Sequence, residues 1–204
     1  MSELDPSWRT TCFAVVDIEG NGQRPHDVVE VAVTWVRDGQ VSSEVRSWLV
    51  RPPRPITAHV FRIHGISNSL VENAPTFDEI RDQVLGALGQ GPVIGHHVMV
   101  DFTVLGRQLG AWSPALLLDT VRLSKRVLPH RGSYSLSSLV DGLELAEGLE
   151  GEPHRAPYDA VAAARVFVHL MGLADPQGEL SVSQLEGLCG VPFPGQDMRQ
   201  QSLF

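Results

Sequence analysis

Phe13-Ala-Val-Val-Asp-Ile-Glu-Gly20 is the stretch on which the reading of this chain turns. Phe13 to Val16 form an apolar run that reads as a buried strand, and Asp17 and Glu19 close it. On a strand, residues i and i+2 point to the same face, so Asp17 and Glu19 stand side by side while Ile18 points the other way. Ionised carboxylates on an apolar element are costly unless something positive holds them. A D-x-E pair alone is more often a solvated or turn-capping pair than a site, so its meaning depends on what accompanies it.

Two more patches accompany it. Gly95-His-His-Val-Met-Val-Asp101-Phe-Thr-Val-Leu105 follows a second apolar strand, Pro92 to Gly95, and places Asp101 early in a helical pattern from Val98 to Leu109. His154-Arg-Ala-Pro-Tyr-Asp159-Ala160 opens a long Ala- and Val-rich helix, read as Pro157 to Met171. Four acids in three patches offer hard oxygen donors of the kind Mg²⁺ or Mn²⁺ takes. Two such ions, about 3.5–4 Å apart, can clamp the attacking and leaving oxygens of a phosphodiester. His154 adds the side-chain type that serves as a base near neutral pH.

In this order the patches resemble the DEDDh-type 3′→5′ exonucleases of the RNase H-like superfamily, among them the proofreading epsilon subunits of bacterial DNA polymerase III. Further matches run from about Cys12 to Leu173. His26–Gly39 resembles the second strand, Phe61–Ser67 the H-G-I-[ST] motif, and Asn73–Ile80 the following helix start. Leu116–Pro129 is similar to the L-D-T strand-to-helix turn, and Tyr134–Leu145 to the Y-S-L-x-x-L helix. The resemblance implies that Asp17, Glu19, Asp101 and Asp159 hold two Mg²⁺ or Mn²⁺ ions, and that His154 is the general base. Asp17 would bridge the ions, with Glu19 and Asp159 on the one that activates water and Asp101 on the other. Two departures stand out. Gly20, Asn21 and Gly22 replace the T-T-G that often follows D-x-E, and His97 replaces the Asn of G-H-N.

The expected fold class is α/β, an RNase H-like exonuclease fold with a mixed central sheet flanked by helices. Strands are read at Thr11–Glu19, Val28–Arg37 and Val41–Val50, the last two joined at Arg37-Asp38-Gly39. Arg51-Pro-Pro-Arg-Pro55 ends that meander. Thr76 and Glu79 form a capping box for a helix through Leu88. A short strand at Leu116–Leu118 and helices at Thr120–Val127, Leu136–Leu143 and Ser181–Leu188 complete the pattern. The organisation expected is an N-terminal extension over 1–10, an exonuclease domain over 11–175, a helical segment over 176–190 and a flexible tail over 191–204.

Several residues carry two readings. Ile18 and Gly20 are expected beside the substrate. His64 either lines the nucleotide groove or is a turn histidine bonded to backbone. His97 leans structural but is within reach of substrate. Phe102 either stacks on a base or packs in the core. The basic cluster Arg122, Lys125, Arg126, His130 and Arg131 either tracks phosphates or is a solvated helix face.

The chain has 204 residues, 43% hydrophobic and 20% charged, which suits one domain with a sizeable core. Its formal net charge of −8 is unusual for a nucleic-acid binder, but bound divalent ions would reverse the local sign at the acids. Met1–Thr10 has neither the basic nor the apolar part of a signal peptide, no stretch approaches a membrane span, and Cys12 and Cys189 form no motif. A cytoplasmic setting is the resulting expectation.

The final residues add an independent signal. Gln200-Gln201-Ser202-Leu203-Phe204 resembles the Q-x-[SD]-L-F peptide that docks on the bacterial sliding clamp. Gln200 would supply directional hydrogen bonds, and Leu203 and Phe204 would fill an apolar pocket. The alternative is a tail folded back on its own domain. The partners expected are DNA 3′ ends, the clamp and a DNA polymerase. Two other readings remain: an exoribonuclease, because the 2′-OH is sensed by residues this pattern does not reveal, and a clamp-binding module with an inactive site.

Overall fold

The computed structural model describes residues 5–194. Five strands form one sheet in the order β3-β2-β1-β4-β5: β1 Phe13–Gly20, β2 Val28–Arg37, β3 Gln40–Leu49, β4 Val93–Gly95 and β5 Leu117–Asp119. The first three are antiparallel, whereas β4 and β5 run parallel to β1, so the sheet is mixed. This is the RNase H-like exonuclease fold. Asp38 and Gly39 both have positive φ, +53° and +69°, the pair of left-handed residues that a two-residue hairpin turn requires. β2 is buried along its whole length except at Arg37, because both faces are covered.

Helices cover the two faces of the sheet. Ala14 and Val16 pack with α3 (Phe77–Leu88) and α4 (Met99–Leu109) on one side. Phe13 and Val15 face α7 (Ala156–Ala174) on the other, together with α5 (Thr120–Val127), α6 (Leu136–Gly142) and α8 (Val182–Cys189). Thr76 and Glu79 form the expected capping box on α3, an arrangement whose loss costs about 1 kcal/mol. The parity of β1 therefore sends Asp17 and Glu19 toward α7 and Ile18 toward α4. Ala32 of β2 meets Ala156 and Ala160, and these small side chains let the start of α7 come close to the sheet.

Two short helices, α1 (Ala58–His64) and α2 (Asn68–Val71), occupy the long connection after β3. Their cores are too small to show a helical period, with only His64 and Val71 buried. The N-terminal extension belongs to the folded body from Asp5 onward. Trp8 is buried, its indole N–H donates to Asp175 Oδ2 at 2.8 Å, and its ring meets Phe167 edge-on.

The tail does not begin at 191. The Val191 N–H donates to the Leu117 carbonyl at 2.8 Å, and Phe193 is buried against Phe102. Prolines and glycine dominate this stretch and mask one anchoring aromatic. Among the described residues no helix is long and apolar enough to cross a membrane.

Candidate active site

β1, β4 and β5 are parallel, so their carboxyl ends share one edge of the sheet, the place where such sheets open a crevice. Asp17 and Glu19 stand there. α7 delivers Asp159 from its first turn, and the Asp159 N–H donates to the Arg155 carbonyl at 3.0 Å. Carboxylate oxygens of Asp17, Glu19 and Asp159 lie within 4.8 Å of one another. Asp101 arrives from α4 and is buried, its Oδ1 accepting the Ile18 N–H at 3.1 Å. Gly95 makes this turn possible, since a Cβ there would meet the Val98 side chain at 2.9 Å.

Ionisation of these acids is disfavoured. Burial, then the charges of Asp101, Asp159, Glu19 and Glu30, push the Asp17 carboxyl well above the usual carboxylate range. Burial first, then Asp159, Glu30 and Asp101, push Glu19 up to about 8. Burial pushes Asp101 up to about 8 and Asp159 up to about 6, the His154 imidazole opposing the latter. A clustered set of oxygen donors whose ionised form is so disfavoured fits divalent cations such as Mg²⁺ or Mn²⁺, which relieve both desolvation and mutual repulsion.

Two cavities flank the acids. The larger, about 380 Å³, is lined by Asp17, His96, His97, His154 and Asp159, and also by Ser135, Ser137, Asp141 and Tyr158. His154 lies in the turn before α7, two residues ahead of its first residue, with φ +63°. His97, at φ +64°, donates its backbone N–H to Asp119 Oδ1 at 3.3 Å. The left-handed conformation suits Asn, the residue replaced here, and histidine also tolerates it. Neighbouring His96 is lowered to about 4 by burial and therefore neutral.

The smaller cavity, about 150 Å³, is a largely apolar slot beside Glu19. Ile18, Gly20, Val60, Ile63, Val100 and Val104 line it, with His26 and His64 as its imidazoles. His64 is bonded to backbone and also lines the slot. Its Nδ1 accepts the Ile66 N–H at 3.0 Å and its Nε2 sits 3.3 Å from the Gly20 carbonyl, so the ring bonds backbone while also bordering the slot. The accepting Nδ1 puts the proton on Nε2, and burial favours this neutral form.

Other expectations fare differently. Phe102 lines neither cavity: its ring packs against Trp112 and Phe193, with centroids 5.8 and 5.0 Å away. Val100, one position before Asp101 and exposed, takes the slot-facing place instead. Helical spacing alone does not reveal which neighbour of Asp101 faces the slot. Asn21, standing where the family often has threonine, is fully buried; its amide donates to Asp27 Oδ2 at 2.7 Å and accepts the Asp27 and Gln23 N–H groups. Arg122 and Arg126 of the basic cluster donate to the Gly190 and Gly187 carbonyls at the end of α8. Gln200, Leu203 and Phe204 lie outside the described residues.

Sequence reasoning also passed over Glu30. An acid inside Val28-Val-Glu-Val-Ala-Val33 was a visible signal, since a charge within a buried strand needs a partner. Its partner is Arg155, whose guanidinium engages both carboxylate oxygens at 2.5 and 3.0 Å.

The RNase H-like mixed sheet thus gathers Asp17, Glu19 and Asp159 at one crevice, with Asp101 of α4 close enough to act on Asp17. The chain belongs to the Exonuclease (RNase_T) family, whose sequence profile matches residues 10–167. It is 29% identical over 194 residues to DNA polymerase III PolC-type of Thermotoga petrophila, covering 90% of this chain and 14% of that protein. It is 28% identical to 3′-5′ exonuclease DinG of Bacillus subtilis, covering 78% of this chain and 17% of the relative. Its span is thus a small part of either. The DNA polymerase III subunit epsilon of Aquifex aeolicus, 27% identical, is matched over 78% of this chain and 80% of its own length. Exonuclease X in complex with 5′ overhanging duplex DNA superposes with a TM-score of 0.72 at 25% identity, covering 86% of this chain and 98% of that one.

Proposed function

We propose that this chain is a divalent-metal-dependent 3′→5′ exonuclease that hydrolyses the terminal phosphodiester of DNA. The observation that carries the reading is the carboxylate cluster of Asp17, Glu19 and Asp159 lying between two cavities, with His154 on the wall of one. Asp17, Glu19, Asp159 and Asp101 would hold the metal, and Mg²⁺ or Mn²⁺ when bound supplies Lewis-acid stabilisation of charge on the phosphoryl oxygens. His154 takes the proton of the attacking water. The apolar slot receives the terminal nucleotide, with Ile18, Ile63 and Val100 against its base or sugar and no fixed hydrogen-bonding pattern to read sequence. Support for DNA over RNA comes from the polymerase III relatives and from Exonuclease X, whose structure holds duplex DNA.

A second element of the reading is attachment to a bacterial sliding clamp, and through it to a polymerase, by Gln200, Leu203 and Phe204. It rests on the sequence Gln200-Gln-Ser-Leu-Phe204. A Leu-Phe pair has the apolar side chains that fill a pocket on a partner.

The deciding experiment is single-turnover digestion of 5′-end-labelled DNA and RNA oligomers with Mg²⁺ or Mn²⁺, with and without a chelator. Stepwise shortening of DNA from the 3′ end, abolished by the chelator, is expected. Faster shortening of RNA would replace DNA by RNA as the substrate, and no shortening of either would end the enzymatic reading.

A further inference from the structure

Glu30 is a buried carboxylate beside the acid cluster that the proposed chemistry leaves unused. It lies on β2 directly across from Glu19 in the β1–β2 register, so both side chains emerge on the α7 face. Each of its oxygens is already taken. Oε1 accepts from Arg155 Nη2 at 2.5 Å, and Oε2 accepts both Arg155 Nε and the Ala156 N–H at 3.0 Å. A carboxylate so filled is no free metal ligand, although it stands beside the acids that are.

Its hydrogen bonds close a structural gap. Arg155 is the N-cap residue of α7, and its side chain makes no cap hydrogen bond to its own helix. Ala156 therefore opens the helix with an N–H that needs an acceptor, and Glu30 supplies it from the neighbouring strand. The negative charge there also complements the helix dipole. Immediately before this anchor sits His154, in the left-handed conformation at φ +63°. Histidine tolerates that conformation at some cost, which fixed surroundings offset. Asp159 is anchored differently, by the body of α7, whose Ala160, Ala163 and Phe167 are buried.

We propose that Glu30, acting through Arg155 and the Ala156 N–H, is a positioning residue for His154. It fixes the turn that aims the imidazole into the cavity shared with Asp17 and Asp159. The inference rests on the exonuclease reading above and adds a division of labour: the Glu30–Arg155 pair sets the base, while the helix body sets the ligand Asp159.

The test is a double-mutant cycle with Glu30→Gln and His154→Ala, read by single-turnover rate and KM on a DNA oligomer and by Mn²⁺ titration calorimetry. Glu30→Gln should lower kcat about a hundredfold, the order that a misplacement of about 1 Å costs. KM should stay within about twofold of wild type and Mn²⁺ affinity should change far less than kcat, since neither substrate nor metal contacts are removed and only the charge beside Glu19 is altered. The combined variant should be no slower than His154→Ala alone, because a base already absent cannot be misplaced. Full additivity, an equal fall in Mn²⁺ affinity, or an unchanged kcat would each overturn the proposal.

Should Glu30→Gln fail to fold, Glu30→Gln/Arg155→Gln removes both charges together and leaves no unpaired buried ion; the same criteria apply to it. Failure of both to fold would assign the pair to the fold alone and overturn the inference as well. An inactive wild type would instead sink the exonuclease reading itself, whereas a His154→Ala variant at full rate would overturn the inference, because there would be no base for Glu30 to position.

Discussion

Glu19 and Glu30 face each other across β1 and β2, one strand spacing apart, yet of the two only Glu30 forms an ion pair among the described residues. Glu30 is gripped by the Arg155 guanidinium, whereas Glu19 is pushed up to about 8 by burial and by neighbouring acids that include Glu30. Two carboxylates in register thus serve opposite ends. One completes the start of a helix, and the other stands in the acid cluster with Asp17 and Asp159.

Asp17→Ala should abolish nuclease activity while leaving the fold intact. Removing a carboxyl that four neighbouring acids repel should also raise the metal-free melting temperature. Calorimetric melting in a chelator, beside a digestion assay in saturating Mg²⁺, checks both. Cleavage at the wild-type rate would exclude Asp17 from the metal site.

The metal-free protein should lose stability as pH rises. Glu19, Asp101 and Asp159 have folded-state values of about 8, 8 and 6, above the usual carboxylate range. The native state therefore holds more protons than the unfolded chain through that window, and the slope of stability with pH is negative. The contribution is complete below about pH 4, where these groups titrate when unfolded, and it is lost as pH climbs toward 8. Mn²⁺ affinity should rise over the same window, because binding releases those protons. Melting curves from pH 4 to 8 with and without Mn²⁺ measure it; a chelated protein that grows steadily more stable toward pH 8 would contradict the electrostatics of the site.

His154→Ala should bind Mn²⁺ almost normally and turn over on the order of 10²–10⁴ more slowly, the contribution typical of a positioned general base. Calorimetry and single-turnover rates separate the two effects. Weakened metal binding with unchanged turnover would make His154 a ligand or a structural residue.

Val100→Asp should weaken binding of a DNA end and leave the metal site untouched. Val100 is exposed and lines the slot beside Glu19, so a carboxylate there would meet the anionic nucleotide. KM should rise several-fold while Mn²⁺ affinity holds. An unaltered KM would place the terminal nucleotide elsewhere.

Removal of Gln200 to Phe204 should leave digestion of a free oligonucleotide unchanged and reduce it on a primed template carrying a loaded clamp, where tethering raises effective concentration. Phe193→Ala is the contrasting change. Phe193 packs against Phe102 in the core, so its loss should cost about 3–5 kcal/mol of stability. Equal loss on both substrates after the five-residue deletion would attach that segment to the folded domain and end the clamp reading.

The elements with strong local chemistry were legible in the sequence. The D-x-E spacing on an apolar strand, the Asp38-Gly39 hairpin, the Thr76–Glu79 capping box and the alanine-rich helix after Pro157 each depend on neighbours a few residues away. The acids could be named for the same reason, each lying at the end or start of such an element. What depended on distant partners was not legible. That Val100 faces the slot while Phe102 turns to Trp112 was decided by how α4 docks on the sheet. Trp8 and Phe193, near opposite ends of the described chain, enter the core because Phe167 and Phe102 wait for them there. Glu30 was written plainly into β2, but its role needed Arg155, 125 positions later, brought across the strand by the close approach of Ala32, Ala156 and Ala160. Local pattern specifies elements through short-range sterics and hydrogen bonding; the fate of a buried charge is set by whichever opposite charge the packed structure delivers to it.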